Sequence, residues 1–121
     1  MPSKRYRNAD SLQDIIDNIA RIERHVEGID QDGLRNDELR HDAVERCLER
    51  ICEAAFRLGD GANELLPAQP WADIRSMGNR LRHGYDQIDI SIIWNVISER
   101  LPGRKADATK ALERLAASHR P

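Results

Sequence analysis

Leu12, Ile15, Ile16, Ile19, Ile22, Val26 and Ile29 recur at spacings of three and four, which aligns them as one apolar stripe along about five turns of α-helix. The other side of the same segment carries Asp14, Asp17, Arg21, Glu23, Arg24 and Glu27. A stripe this regular belongs to a bundle or dimer helix and requires a partner of similar length. Asp10 or Ser11 is placed to cap its start, and Gly28 with Asp30-Gln31-Asp32-Gly33 breaks it. Asn36 or Asp37 then caps a second helix, whose stripe is Leu39, Ala43, Val44, Cys47, Leu48, Ile51, Ala55 and Leu58, and Gly59 and Gly61 end it. Two long antiparallel helices joined by a short loop are predicted.

A connector with two glycines and two prolines fills residues 59–70, and Pro70 suits the start of a third helix at Trp71. Trp71, Ile74, Met77, Leu81 and Tyr85 form its apolar side. Asp89 or Ser91 caps a fourth helix with Ile90, Ile93, Trp94, Val96, Ile97 and Leu101, and Pro102-Gly103 is expected to stop it. Residues 104–118 carry a weaker stripe of Ala108, Leu112 and Leu115. Ile88, Ile90 and Ile92 alternate like a strand, but no second strand-like run exists to pair with them. The expected architecture is all-α, an up-and-down bundle of four to five helices. Residues 10–118 form one domain between a basic, patternless arm at 1–9 and a tail at 119–121. With 121 residues, 40% of them hydrophobic, the chain can bury one core and not two.

The net charge of -2 gives no bulk attraction for a polyanion, so nucleic-acid affinity requires a local basic patch. No apolar run is long enough for a membrane span and the first seven residues lack a signal-peptide core, which predicts a cytoplasmic protein with no membrane partner. Cys47 and Cys52, five apart on one helix, point in different directions and are expected to be free, buried thiols. His25, His41, His83 and His119 are scattered, so neither a metal nor a cofactor is expected.

Residues 75–86 do not read as routine packing. Arg75, Asn79, Arg80, Arg82, His83 and Tyr85 crowd between Ile74 and Asp86, and on an ideal helix Arg75, Asn79, Arg82, His83 and Asp86 lie opposite the Ile74-Met77-Leu81-Tyr85 face. Arginines beside a histidine favour its neutral form, which can accept a proton, while guanidinium groups hold phosphate oxygens. A solvated Arg/His-rich helix face explains the same residue types without any chemistry.

Pro70-Trp71, the run Met77-Gly78-Asn79-Arg80-Leu81-Arg82-His83-Gly84-Tyr85-Asp86, then Ile90, Ile93-Trp94 and Leu101-Pro102 together resemble the HepT-like branch of the HEPN superfamily. Ala43-Val44-Glu45-Arg46 and Glu53-Ala54-Ala55 fit the same family's second helix, and the resemblance covers roughly residues 10–116. It implies a helical bundle that forms a homodimer in which two Arg-x(4 to 6)-His motifs share one cleft. It also implies metal-independent endoribonuclease activity on RNA, with tRNA as a candidate target, in a type VII toxin-antitoxin pair. The partner implied is a small MntA-like nucleotidyltransferase antitoxin that adds AMP to the tyrosine of the His-x-Tyr element. Carried over, His83 is the catalytic acid/base, Asn79 the polar residue after the arginine slot, and Tyr85 the AMP acceptor. The slot itself holds Gly78. Arg80 is the nearer replacement, since Arg75 lies about 12 Å along the helix from His83. Arg75 and Arg82 are candidate RNA contacts, and an arginine of the second subunit is a further source of charge. A helical module that binds RNA or a nucleotidyltransferase without cleaving, and an unrelated four-helix structural dimer, are the alternatives.

Overall fold

The computed structural model describes the backbone of residues 4–59, 61–83 and 88–117, with the side chains of residues 4–6, Asn63, Trp71, Ala72 and Arg75 excepted. All regular structure among the described residues is helical. Helix α1 (Lys4–His25) places Leu12, Ile15, Ile19 and Ile22 in the core, none more than 1% exposed. It begins well before the expected cap. Residues 4–9 hold no glycine or proline and contain good helix formers, so the helix propagates back through most of the stretch read as an arm. Ser11 is buried within α1 and accepts a 3.5 Å hydrogen bond from Arg57 Nε, so its hydroxyl joins two helices instead of capping one.

The chain turns at Gly28, whose φ of 78° suits a residue without a Cβ, and forms the single-turn α2 (Gln31–Arg35). Asp30 caps α2 by accepting from Gly33 N at 2.8 Å. Asp37 caps α3 (Glu38–Leu58) through Arg40 N at 3.0 Å, as the sequence predicts. Helix α3 is central: it packs against α1 and α2 and, further along the chain, α4 (Gly61–Leu65) and α5 (Trp71–His83). Its buried residues therefore occupy more than one face: Val44, Cys47, Leu48, Ile51, Cys52, Ala54, Ala55 and Leu58. Leu39 is not among them and is 82% exposed. Five residues before Val44, it sits about 140° around the helix from that stripe.

Asp89 caps α6 (Ile90–Asn95) by accepting from Ser91 N at 2.8 Å. Pro102-Gly103 does not end the helix. A π turn at Val96–Arg100 connects α6 directly to α7 (Leu101–Ala117), and the backbone N–H of Leu101 donates to the carbonyl of Val96, five residues back. Proline cannot donate and its ring collides with the carbonyl four residues earlier in an α-helix. The wider π turn just ahead of Pro102 moves that carbonyl aside. Helix α7 also packs against α1, with Ala108 and Ala111 fully buried. The long α1 stripe is thus covered within one chain by two helices, and it does not by itself call for a second subunit.

Candidate functional site

Helix α5 starts where Pro70 O accepts from Ile74 N at 3.1 Å and ends at His83. Its inner face is Ile74, 3% exposed, and the buried Gly78. A Cβ built on Gly78 would lie 2.6 Å from Cys52 Cβ and 3.4 Å from Cys52 Sγ. The backbones of α3 and α5 approach closely here, so the position where the resemblance expects an arginine lies at a helix crossing. Burial pushes the Cys52 thiol up to about 11 against the opposing pull of Arg104 and Arg82. Burial raises Cys47 as well, although Arg50, Arg21, Arg24 and Arg46 work against it. Both free cysteines are structural groups.

Asn79, Arg80, Arg82 and His83 are all exposed on the outer side of α5. They do not form one cluster. Asn79 and Arg82 face α3 across a cleft of about 320 Å³ that Glu49, Glu53 and Phe56 close from the other side. Arg80 turns the other way, towards His41, Glu45 and Asp89 in one groove and Asn95 and Arg100 in another. His83 follows Asn79 by four residues and Arg80 by three, placing it about 40° and 60° around the helix from them. No ion pair engages Arg80 or Arg82 among the described residues. Arg75 lies on α5 but its side chain is outside the described residues, and so is Tyr85 entirely.

Two features escaped the sequence reading. Phe56 is 64% exposed at the mouth of the cleft; it falls outside the Ile51-Ala55-Leu58 stripe, which was the available signal. A second groove of about 380 Å³ between α1 and α3 gathers Arg21, Arg46, Arg50 and Arg57. Arg57 is held by Asp14 at 2.6 Å and Arg46 by Glu49 at 3.2 Å, whereas Arg21 and Arg50 have no carboxylate partner among the described residues. The sequence shows these arginines only as the solvent side of two separate helices. Their convergence depends on how α1 and α3 pair.

His41, Asp42 and Glu45 bring one potential ligand atom each within 4.8 Å of one another. His41 Nε2 is 3.4 Å from Glu45 Oε1, one helical turn on, which is ordinary ion-pair geometry on a helix surface. No helix among the described residues is long and apolar enough to cross a membrane.

A family model described as Ribonuclease HepT-like matches residues 15–111. A protein of Thermococcus cleftensis named Probable ribonuclease HepT is 31% identical over 101 residues, covering 84% of this chain and 92% of that one. A candidate RNase of Methanocaldococcus jannaschii is 29% identical over 96 residues, covering 79% and 88% of the two chains. One from Caldanaerobacter subterraneus is 31% identical over 93 residues, covering 77% and 82%. No solved structure matches this chain.

Proposed function

This chain belongs to the HepT-like ribonuclease family, and from that premise we propose that it is the toxin of a toxin-antitoxin pair, a metal-independent endoribonuclease acting through His83. The observation that carries the reading is the outer side of α5. Asn79, Arg80, Arg82 and His83 stand exposed within its last turn and a half, and neither arginine is paired to an acid among the described residues. Unpaired guanidiniums on either side of an imidazole are suited to a phosphodiester.

In this mechanism the ribose 2′-hydroxyl attacks the adjacent phosphorus. The O2′–P bond forms, the P–O5′ bond breaks, and a 2′,3′-cyclic phosphate remains. His83 takes the 2′ proton, and His83 of the partner subunit gives a proton to the leaving 5′ oxygen. A homodimer with one composite cleft supplies both imidazoles. Arg80 stabilises charge on the phosphorane, Asn79 positions a phosphate oxygen, and Arg75 and Arg82 hold the flanking backbone. Phe56 offers an unstacked base a flat face beside the cleft. Tyr85, two residues after His83, accepts AMP from ATP through an MntA-like nucleotidyltransferase, the phenol losing its proton and pyrophosphate leaving, and the added phosphate opposes RNA entry. tRNA, whose loops present unpaired nucleotides, is the target class proposed, and the cytoplasm the place of action.

The crossing of Gly78 on Cys52 favours a second reading, a module that binds RNA or its nucleotidyltransferase without cleaving, because a side chain at position 78 would press on Cys52 instead of reaching the exposed face. Purified protein and His83→Ala are incubated with total RNA in chelator. Cleavage by the wild type alone, leaving cyclic phosphate ends, is expected. Equal products from both proteins would remove the enzyme reading and leave the binding module.

A further inference from the structure

Arg104 is 5% exposed, and its only hydrogen bond among the described residues runs from Nε to Gln69 Oε1 at 3.2 Å. A guanidinium carries five N–H donors, so most of its capacity is not used by the described residues. Gln69 passes its own donor on to Asp107 Oδ2 at 2.8 Å, which keeps that carboxylate one amide removed from the arginine. No ion pair engages Arg104, Arg100 or Arg80 among the described residues.

All three line one cavity of about 270 Å³ between α3, α5 and the π turn, together with Ser76, Asn95 and Asp73. Three cations thus meet one exposed carboxylate. Burial and the neighbouring Arg100 charge pull the Arg104 pKa below its usual value, against an opposing pull from Cys52, and no carboxylate among the described residues pairs with it. A cation buried beside another cation is costly until an anion joins it. The π turn contributes directly: it carries Val96 and Arg100 on the cavity wall and delivers the chain into α7, where Arg104 sits one turn further.

We propose that this cavity is a phosphate-binding site, in which Arg104 offers a planar pair of N–H groups to two phosphoryl oxygens and Arg80 and Arg100 flank the anion. Ser76 and Asn95 add neutral donors. A phosphoryl group fits better than a carboxylate because three arginines can share its oxygens and its charge. That the group belongs to an RNA chain lying across α5 rests on the function proposed above; affinity for the anion itself does not.

Calorimetry and thermal melting with inorganic phosphate, at ionic strength held constant with chloride, test the site. Saturable binding that raises the melting temperature is expected for the wild type and for His83→Ala. Arg104→Met and Arg100→Gln should each weaken it about tenfold or more. Arg100 is exposed, so Arg100→Gln keeps its fold even if Arg104→Met does not. Absence of saturable phosphate binding, or equal binding by wild type and Arg100→Gln, overturns the proposal. RNA oligonucleotides with and without a 5′-phosphate separate the sources: equal weakening by Arg100→Gln assigns the site to an internal phosphodiester, and weakening confined to the phosphorylated strand assigns it to the terminal group. Phosphate binding without RNA cleavage would reject the nuclease and keep the site, whereas cleavage without phosphate binding would do the reverse.

Discussion

Replacing Gly78 by alanine adds one carbon at the point where α5 crosses α3. That carbon would lie 2.6 Å from Cys52 Cβ, against about 3.5–4.0 Å for an ordinary carbon contact, so the helices must part by roughly 1 Å. Overpacking of this size costs about 1–3 kcal/mol, while glycine-to-alanine in a helix interior returns about 1 kcal/mol of propensity. Gly78→Ala should therefore lower stability by about 1 kcal/mol, with a range from neutral to about 2 kcal/mol. The sharper test is a double-mutant cycle in chemical denaturation. Cys52→Ala removes the sulfur but leaves the clashing Cβ, so it should not relieve Gly78→Ala. Cys52→Gly removes the Cβ itself, and in that background Gly78→Ala should become stabilising by about 1 kcal/mol, a coupling of roughly 2 kcal/mol. An unchanged cost of Gly78→Ala in the Cys52→Gly background would refute the crossing as the reason for glycine. Gly78→Arg, which restores the family's usual residue, should disrupt the α3–α5 contact before it can help cleavage.

If RNA lies along the groove between α1 and α3, Arg21→Gln with Arg50→Gln removes two phosphate contacts, and the slope of log affinity against log salt should fall by about 1.4 in anisotropy titrations. An unchanged slope would place the strand elsewhere. Cys52 is held protonated by the fold, with its pKa raised to about 11 from an unfolded value near 9.0, so the stability it contributes is complete below the unfolded value and lost as pH rises through the folded one. Between about pH 8 and pH 10.5 the wild type should lose about 2 kcal/mol that Cys52→Ala does not lose, measured as the difference between their urea midpoints. Asn18 is buried, with Nδ2 donating to Asp14 O at 2.8 Å and no partner for Oδ1 among the described residues. Asn18→Leu should raise stability by about 1 kcal/mol, a melting shift of about 4 °C, and a destabilised variant would mean that a bound water satisfies that oxygen.

The parts of the fold that were legible in the sequence are those set by period and capping. Leu12, Ile15, Ile19 and Ile22 are buried, Asp37 and Asp89 cap their helices, and both cysteines are free, because each depends on residues within one or two turns of chain. The misreadings come from tertiary context. The absence of breakers at residues 4–9 allowed α1 to run back to Lys4, but Ser11 read as a cap, whereas its hydroxyl accepts from Arg57 across the bundle. Pro102-Gly103 is a strong local stop signal, overridden because a π turn absorbs the proline and α7 gains a packing surface on α1. The family pattern located the exposed turn around His83. It could not show that Arg80 and Arg82, two residues apart, open onto different cavities.

That division bears on how an arginine can act when its usual position is closed. A side chain at position 78 would point at α3, so any guanidinium near His83 must come from the exposed strip of α5 or from outside the chain. On that strip Arg80 stands about 60° from His83 and Arg82 about 100°, one on each side of it. Arg80 also lines the cavity of Arg100 and Arg104, and Arg82 the cleft of Phe56 and Glu53. A strand crossing α5 at His83 would then have one phosphate towards the π turn and its neighbouring nucleotide towards α3. The exposed strip of α5 thus carries two arginines that open onto different cavities, one on each side of the position of His83, and Gly78 lets α3 come close enough to form the cleft of Phe56 and Glu53.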